Sequence, residues 1–248
     1  MAIVSLANAK GGAGKTTAAL LLACEFARRG DRVAVLDCDP LACMTDWFRH
    51  GRNDDRLSIT SGVTTSTLSD HLRRLRGQVE HVVIDLSGAA DVLVALAIGL
   101  SDLTLIPVQG CVMDARGAIQ VLELIRYIEN NARADINHAV LLTRVNPIVT
   151  TRAMRTVKLL LAESRIRLVD TPLVERTAFR ELFEQGDTLY SLDANRVSNL
   201  AKAQVNAQAF ANDVLRLLSP TGEAVRHGPF SSMCYRAGRT VEPVPVRV

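Results

Sequence analysis

The feature that most restricts this chain is the run Ala9-Lys10-Gly11-Gly12-Ala13-Gly14-Lys15-Thr16-Thr17. A short apolar segment, Ala2 to Ala7, leads into it. Helical spacing of Leu20, Leu21, Cys24 and Ala27 follows and closes at Arg28-Arg29-Gly30. A glycine-rich turn between a strand and a helix lets successive backbone N–H groups converge on one point, where the helix N-terminus adds partial positive charge. That is the chemistry of phosphate binding. The spacing places Gly11, Gly12, Ala13 and Gly14 around the phosphates and Lys15 at the β- and γ-phosphates. It puts the Thr16 hydroxyl on Mg²⁺ and Thr17 near the α-phosphate of a nucleotide.

The rest of the chain agrees with an α/β domain. Val33–Leu36, Leu57–Thr60, Val82–Ile84, Leu103–Ile106 and Ala139–Leu142 read as further strands, largely apolar throughout. Helical patterns over Thr67–Arg76, Ala89–Gly99, Ala115–Asn130, Thr151–Glu163, Ala178–Gln185 and Asn195–Leu218 fill the gaps. Apolar strands alternating with helices predict a three-layer P-loop fold, with a mostly parallel central sheet covered by helices on both faces. Residues 1–218 form that ATPase domain, and 219–248, rich in Pro, Gly and Arg without periodicity, reads as a poorly ordered tail. Acidic and polar residues gather where strands end, the edge at which such sheets bind ligands. With 48% apolar and 22% charged residues and no apolar run near the roughly 20 needed to span a bilayer, a cytoplasmic protein without membrane insertion is expected. The five cysteines make no C-x-x-C pair and read as reduced, small apolar residues.

The general phosphate-loop motif has glycine at the position of Ala9, and Lys10 here is an additional cation. The string Lys-Gly-Gly-x-Gly-Lys-Thr-Thr resembles the deviant Walker A box of the ParA/MinD family of dimerising ATPases. Val-Leu-Asp-Cys-Asp-Pro resembles that family's second motif, and Val82-Val83-Ile84-Asp85 resembles its Walker B strand. Ile106-Pro107-Val108 followed by Asp114 resembles a segment near the nucleotide and the dimer interface. Val174-Glu175-Arg176-Thr177-Ala178-Phe179, with Gly186 closing the next helix, is similar to partition ATPases and to the ATPase linked to T-DNA transfer. Without an extra N-terminal helix-turn-helix region, the chain looks like the short form of ParA.

The resemblance implies ATP and Mg²⁺ as cofactors and an ATP-dependent homodimer. In it Lys10 reaches the partner's nucleotide, Asp39 orients the attacking water, and Asp37 and Asp85 support the metal. Two departures stand out: Leu86-Ser87-Gly88 after the Walker B aspartate, and Thr143-Arg144 where family members often carry the Asn that reads adenine.

A net charge of +3 says little about partners, but its distribution says more. Arg152, Arg155 and Lys158 recur every three residues on one predicted helix, a stripe able to track DNA phosphates without reading bases, and Arg176 extends it. The expected function is a ParA-like switch that dimerises on ATP and binds DNA non-specifically. A ParB-like protein or cargo adaptor would stimulate it, and it would work on the nucleoid to distribute a plasmid, chromosome region or other cargo. The alternative is a MinD-like positioning or assembly ATPase acting through protein partners without DNA. An iron–sulfur ATPase of the same loop type is disfavoured, because Cys111 is the only cysteine between the Walker B strand and the tail.

Overall fold

A computed structural model of the chain describes residues 1–51, 54–88, 91–109, 112–146 and 166–219. Its centre is a six-stranded sheet in the order β3-β2-β4-β1-β5-β6, with every pairing parallel. The strands are β1 (Ala2–Leu6), β2 (Val33–Asp37), β3 (Leu57–Ser61), β4 (His81–Asp85), β5 (Leu103–Gln109) and β6 (His138–Thr143). The helices are α1 (Lys15–Arg28), α2 (Cys43–His50), α3 (Leu68–Leu75), α4 (Val92–Leu100), α5 (Val112–Ala132), α6 (Thr177–Gln185) and α7 (Leu200–Leu218).

Although the strands are apolar throughout, their side chains divide strictly by parity, because successive residues of a strand face opposite ways. Val4, Val33, Val35, Val83, Leu103, Leu105, Ala139 and Leu141 pack with α1, α2, α6 and α7. Leu36, Val82, Ile84, Ile106, Val108, Val140 and Leu142 pack with α3, α4 and α5. Two cores back one sheet, which is the three-layer arrangement expected.

The sequence pattern locates every strand but misses α2. That helix is only eight residues long and begins after Ala42 in the left-handed region (φ 49), with no side-chain cap. Its signal was Met44, Trp47 and Phe48 at helical spacing just after Asp39-Pro40. Met44 and Trp47 are buried, and the indole N–H donates to the Asp187 carbonyl at 3.0 Å. The other boundaries shift by a few residues. Asp91 caps α4 by accepting from the Val94 amide (3.0 Å), so the helix starts later than Ala89. The final helix starts at Leu200, after Asn199 at φ 56. The predicted helix Thr151–Glu163 and the tail beyond Ser219 lie outside the described residues.

Candidate nucleotide site

All six strands run the same way, so their C-terminal ends form one edge, and the turns leaving that edge carry the polar residues. β1 ends at Leu6 and passes through Ala7 and Asn8 into the glycine-rich loop. Gly14 takes φ +93, the left-handed region that favours glycine, and a Cβ there would lie 3.3 Å from Thr143. From that turn α1 starts with no side-chain cap and no acidic residue in its first turn, so its leading N–H groups face outward without an internal acceptor.

What directs those N–H groups is the tethering of the loop's carbonyls. Thr143 Oγ1, at the end of β6, donates to the Ala13 carbonyl at 2.8 Å. Gln109 Nε2, at the end of β5, donates to the Gly12 carbonyl. Lys15 Nζ donates to the carbonyls of Asn8 (3.2 Å) and Lys10 (3.3 Å). Asn8 itself is buried; its Nδ2 donates to the Pro107 carbonyl at 2.6 Å, and its Oδ1 accepts from the Lys10 amide at 2.8 Å. With four loop carbonyls engaged by side chains, the amides are left to face an anion. Asn8, Gln109 and Thr143 were not foreseen as site residues. Each is an ordinary polar residue at a strand end, and only the sheet order reveals its target.

The acidic side of the edge is built from β2 and β4. Asp37 and Asp85 are register partners at the ends of these neighbouring strands, and the Cys38 amide donates to the Asp85 carbonyl at 2.9 Å. Their side chains differ in company. Asp37 Oδ2 accepts from the Thr45 amide (3.0 Å) and hydroxyl (2.8 Å), while its Oδ1 accepts from the Asp39 amide at 3.3 Å. Asp37 therefore organises the turn that presents Asp39 and starts α2. Asp39 is half-buried and accepts from the Leu41 amide at 2.9 Å.

Asp85 is fully buried, and neither carboxylate oxygen has a hydrogen-bond partner. Burial pushes its carboxyl up to about 7; the neighbouring Thr16 hydroxyl and Lys15 oppose this, and Asp37 and Asp39 add to it. Burial also lowers the Lys15 ammonium pKa, against the pull of Asp85 and Asp39. The Cys38 thiol is pushed up to about 12, by burial first and then by Asp85 and Asp37, which leaves it protonated and unreactive.

Next to Gly14 and Thr17 the loop opens into a cleft of about 590 Å³, open solvent included, walled by Thr143, Arg144, Leu173, Val174, Arg176 and Phe179. α7 fixes that wall. Asn206 holds it through the Val174 amide (2.9 Å) and the Pro172 carbonyl (2.9 Å), and Asp213 through the Thr171 amide (2.6 Å). Arg176, expected to extend the DNA-facing stripe, lines this cleft, and its Nε is buried without a hydrogen-bond partner. Arg152, Arg155 and Lys158 lie outside the described residues.

The profile of the family described as VirC1 protein matches residues 1–223. The chain belongs to the VirC1 family. The VirC1-family chain is also 36% identical to protein ParA of Rhizobium radiobacter over 226 residues, 91% of this chain and all of that one. It is 26% identical to the maintenance of carboxysome distribution protein A of Halothiobacillus neapolitanus, over 77% of this chain and 88% of that protein. Among solved structures, the ATP complex of a Cyanothece McdA variant superposes with a TM-score of 0.71 at 16% identity, covering 86% of this chain and 96% of that one. The resemblance read from Lys10 to Thr17 thus extends to a ParA/MinD-type P-loop ATPase fold across the domain.

Proposed function

We propose that this VirC1-family chain is an ATP-driven switch that dimerises on ATP, hydrolyses it slowly, and uses the dimer to distribute DNA or another cargo. The observation that carries the reading is the pairing of a phosphate loop whose carbonyls are tied back with a buried carboxylate, Asp85, that lies beside the Thr16 hydroxyl and Lys15 with neither oxygen held in a hydrogen bond. Among the described residues no cluster of three His, Cys, Asp or Glu could hold a metal by itself. That suits Mg²⁺, which is usually bound by one or two carboxylates together with substrate phosphates and water. The Thr16 hydroxyl and Asp85 fit it, and Asp37 supports the shell by fixing the adjacent turn. A magnesium ion held there supplies charge neutralisation between the β- and γ-phosphates.

Lys15 exchanges its two carbonyl partners for phosphate oxygens, and Gly11 to Thr17 present amides to the same group. Asp39, on the turn ordered by Asp37, orients the attacking water. Lys10 extends from the loop to the nucleotide of a second copy, neutralising charge that builds during transfer. The base and ribose occupy the cleft beside Thr17, so Arg176 and Arg144 serve the nucleotide. Arg152, Arg155 and Lys158 track DNA phosphates, a contact that two copies would double. The dimer works on the nucleoid in the cytoplasm, and a ParB-like protein or cargo adaptor triggers hydrolysis. No described helix is long and apolar enough to cross a membrane. The similarity to ParA and to the carboxysome distribution protein supports a role in partition or positioning.

Sedimentation with and without ATP, repeated with DNA over a salt series, tests the reading. Wild type and Asp39→Ala should form dimers that retain DNA at low salt and release it as salt rises. Lys10→Ala should remain monomeric. A Lys10→Ala dimer as stable as wild type would remove the trans role. Dimers that ignore DNA at every salt concentration would leave positioning through proteins.

A further inference from the structure

Gly117, in the second turn of α5, faces the start of the phosphate loop so closely that a Cβ there would overlap Asn8 Oδ1 and stand 3.1 Å from both the amide nitrogen and the Cβ of Lys10. A methyl in that place cannot be absorbed by swinging Asn8 aside. The residue is 2% exposed, its Nδ2 is bonded to the Pro107 carbonyl at 2.6 Å, and its Oδ1 is the acceptor for the Lys10 amide at 2.8 Å. Gly88, in the turn after Asp85, approaches the neighbouring backbone of Ala9, Lys10 and Gly11. A Cβ on Gly88 would lie 3.2 Å from the Gly11 amide nitrogen and 3.5 Å from the Ala9 carbonyl oxygen. The start of the loop is therefore approached closely both by the turn that leaves β4 and by the helix that follows β5.

We propose that Gly117 is a positioning residue for Lys10: through Asn8 it sets where the Lys10 backbone lies, so that α5 and the signature lysine move together. This rests on the reading that Lys10 acts on a second subunit's nucleotide. Glycine is a poorer helix former than alanine, so its presence in α5 calls for a reason such as this close approach. Lys15 touches this stretch only through the carbonyls of Asn8 and Lys10, and the amides of Gly12 to Thr17 lie beyond residues 9–11. Displacing Lys10 therefore affects the contact between subunits more than binding within one.

The test is a double-mutant cycle on Asn8→Ala and Gly117→Ala, read by ATP affinity of the monomer, dimer dissociation constant at saturating ATP, and hydrogen exchange of the Lys10 amide. Gly117→Ala should weaken dimerisation about tenfold, near 1.4 kcal/mol, change ATP affinity by less than about threefold, and speed exchange at Lys10. The double mutant should be no worse than Asn8→Ala alone, because both act through the same oxygen. Fold-changes that simply multiply, or a Lys10 amide as protected in Gly117→Ala as in wild type, would overturn the proposal. If Gly117→Ala does not fold, Asn8→Ala still removes the acceptor without touching α5. It must then speed exchange at the Lys10 amide and weaken dimerisation by a larger factor than it weakens ATP binding, or the proposal fails. Amide exchange is measured on the monomer without nucleotide. A Lys10→Ala protein that dimerises normally therefore sinks the trans role while leaving the positioning result readable.

Discussion

Two stretches of one sheet edge are finished to different degrees. The ends of β1, β5 and β6 contribute Asn8, Gln109 and Thr143, whose side chains are bonded to the phosphate loop or its support. The ends of β2 and β4 contribute Asp37, with its oxygens in use, and Asp85, with both oxygens buried and unpartnered. A buried unpaired carboxylate costs stability, whereas each hydrogen bond that ties the loop contributes modestly to it. The difference separates two tasks: the anion cradle is preformed, and the carboxylate beside it is held at a cost until a cation and phosphates arrive.

The largest expected effect comes from the cradle. Lys15→Ala removes the side-chain cation already bonded within the loop and should lower ATP affinity by about a hundredfold or more, as losing charge-assisted bonds of roughly 1.5–3 kcal/mol each would do. Calorimetry with Mg-ATP measures it directly. Equal affinity in mutant and wild type would mean the tethered loop is a structural turn and would end the comparison.

The acidic side predicts an effect of opposite kind, on stability and dependent on pH. The Asp85 carboxyl is raised from 3.8 to about 7 on folding, so between those values the folded chain holds a proton that the unfolded chain has lost. Stability from this group is therefore complete below about pH 4 and declines as pH rises through 7. Asp85→Asn, which cannot ionise, should melt with wild type near pH 4 and several degrees above it at pH 8, since about 1 kcal/mol moves Tm by roughly 2–4 °C in a domain of this size. Mg-ATP should stabilise wild type and not the mutant. Parallel melting curves across the pH range would show that Asp85 ionises without cost.

The same contrast explains what the sequence made legible. The loop, Asp37, Asp39 and Asp85 are readable because their types and spacing recur wherever phosphate and metal must be held, and the strands are readable because each is a short apolar run bounded by polar residues. The braces were not. Asn, Gln and Thr at strand ends carry no signature until the order β4-β1-β5-β6 sets them beside the loop. Thr143 was noticed only as a departure at a base-reading position, whereas its hydroxyl is spent on the Ala13 carbonyl. Gly117 did leave a trace, since an isolated glycine inside a helical pattern asks for a packing partner. α2 was too short for its Met44, Trp47 and Phe48 spacing to stand out.

Thr143 gives the smallest and sharpest comparison between the two stretches. Thr143→Val keeps the shape but deletes the donor, leaving the Ala13 carbonyl without it in a buried place where Thr143 is 2% exposed. An unsatisfied buried acceptor costs about 1–3 kcal/mol, so Tm should fall by a few degrees. Because no titratable group is involved, that loss should be the same at pH 5 and pH 8, unlike the Asp85→Asn difference, which grows with pH. ATP affinity should fall by roughly threefold to tenfold, since a loop free to turn its Ala13 carbonyl inward must be reordered before its amides meet phosphate. Thr143→Ser, which keeps the hydroxyl, should recover most of the affinity. Melts at the two pH values and nucleotide titrations of the three proteins decide it. A Thr143→Val protein that binds ATP as wild type does would show the loop holding its shape without this brace, and preformation would then rest on Asn8, Gln109 and Lys15.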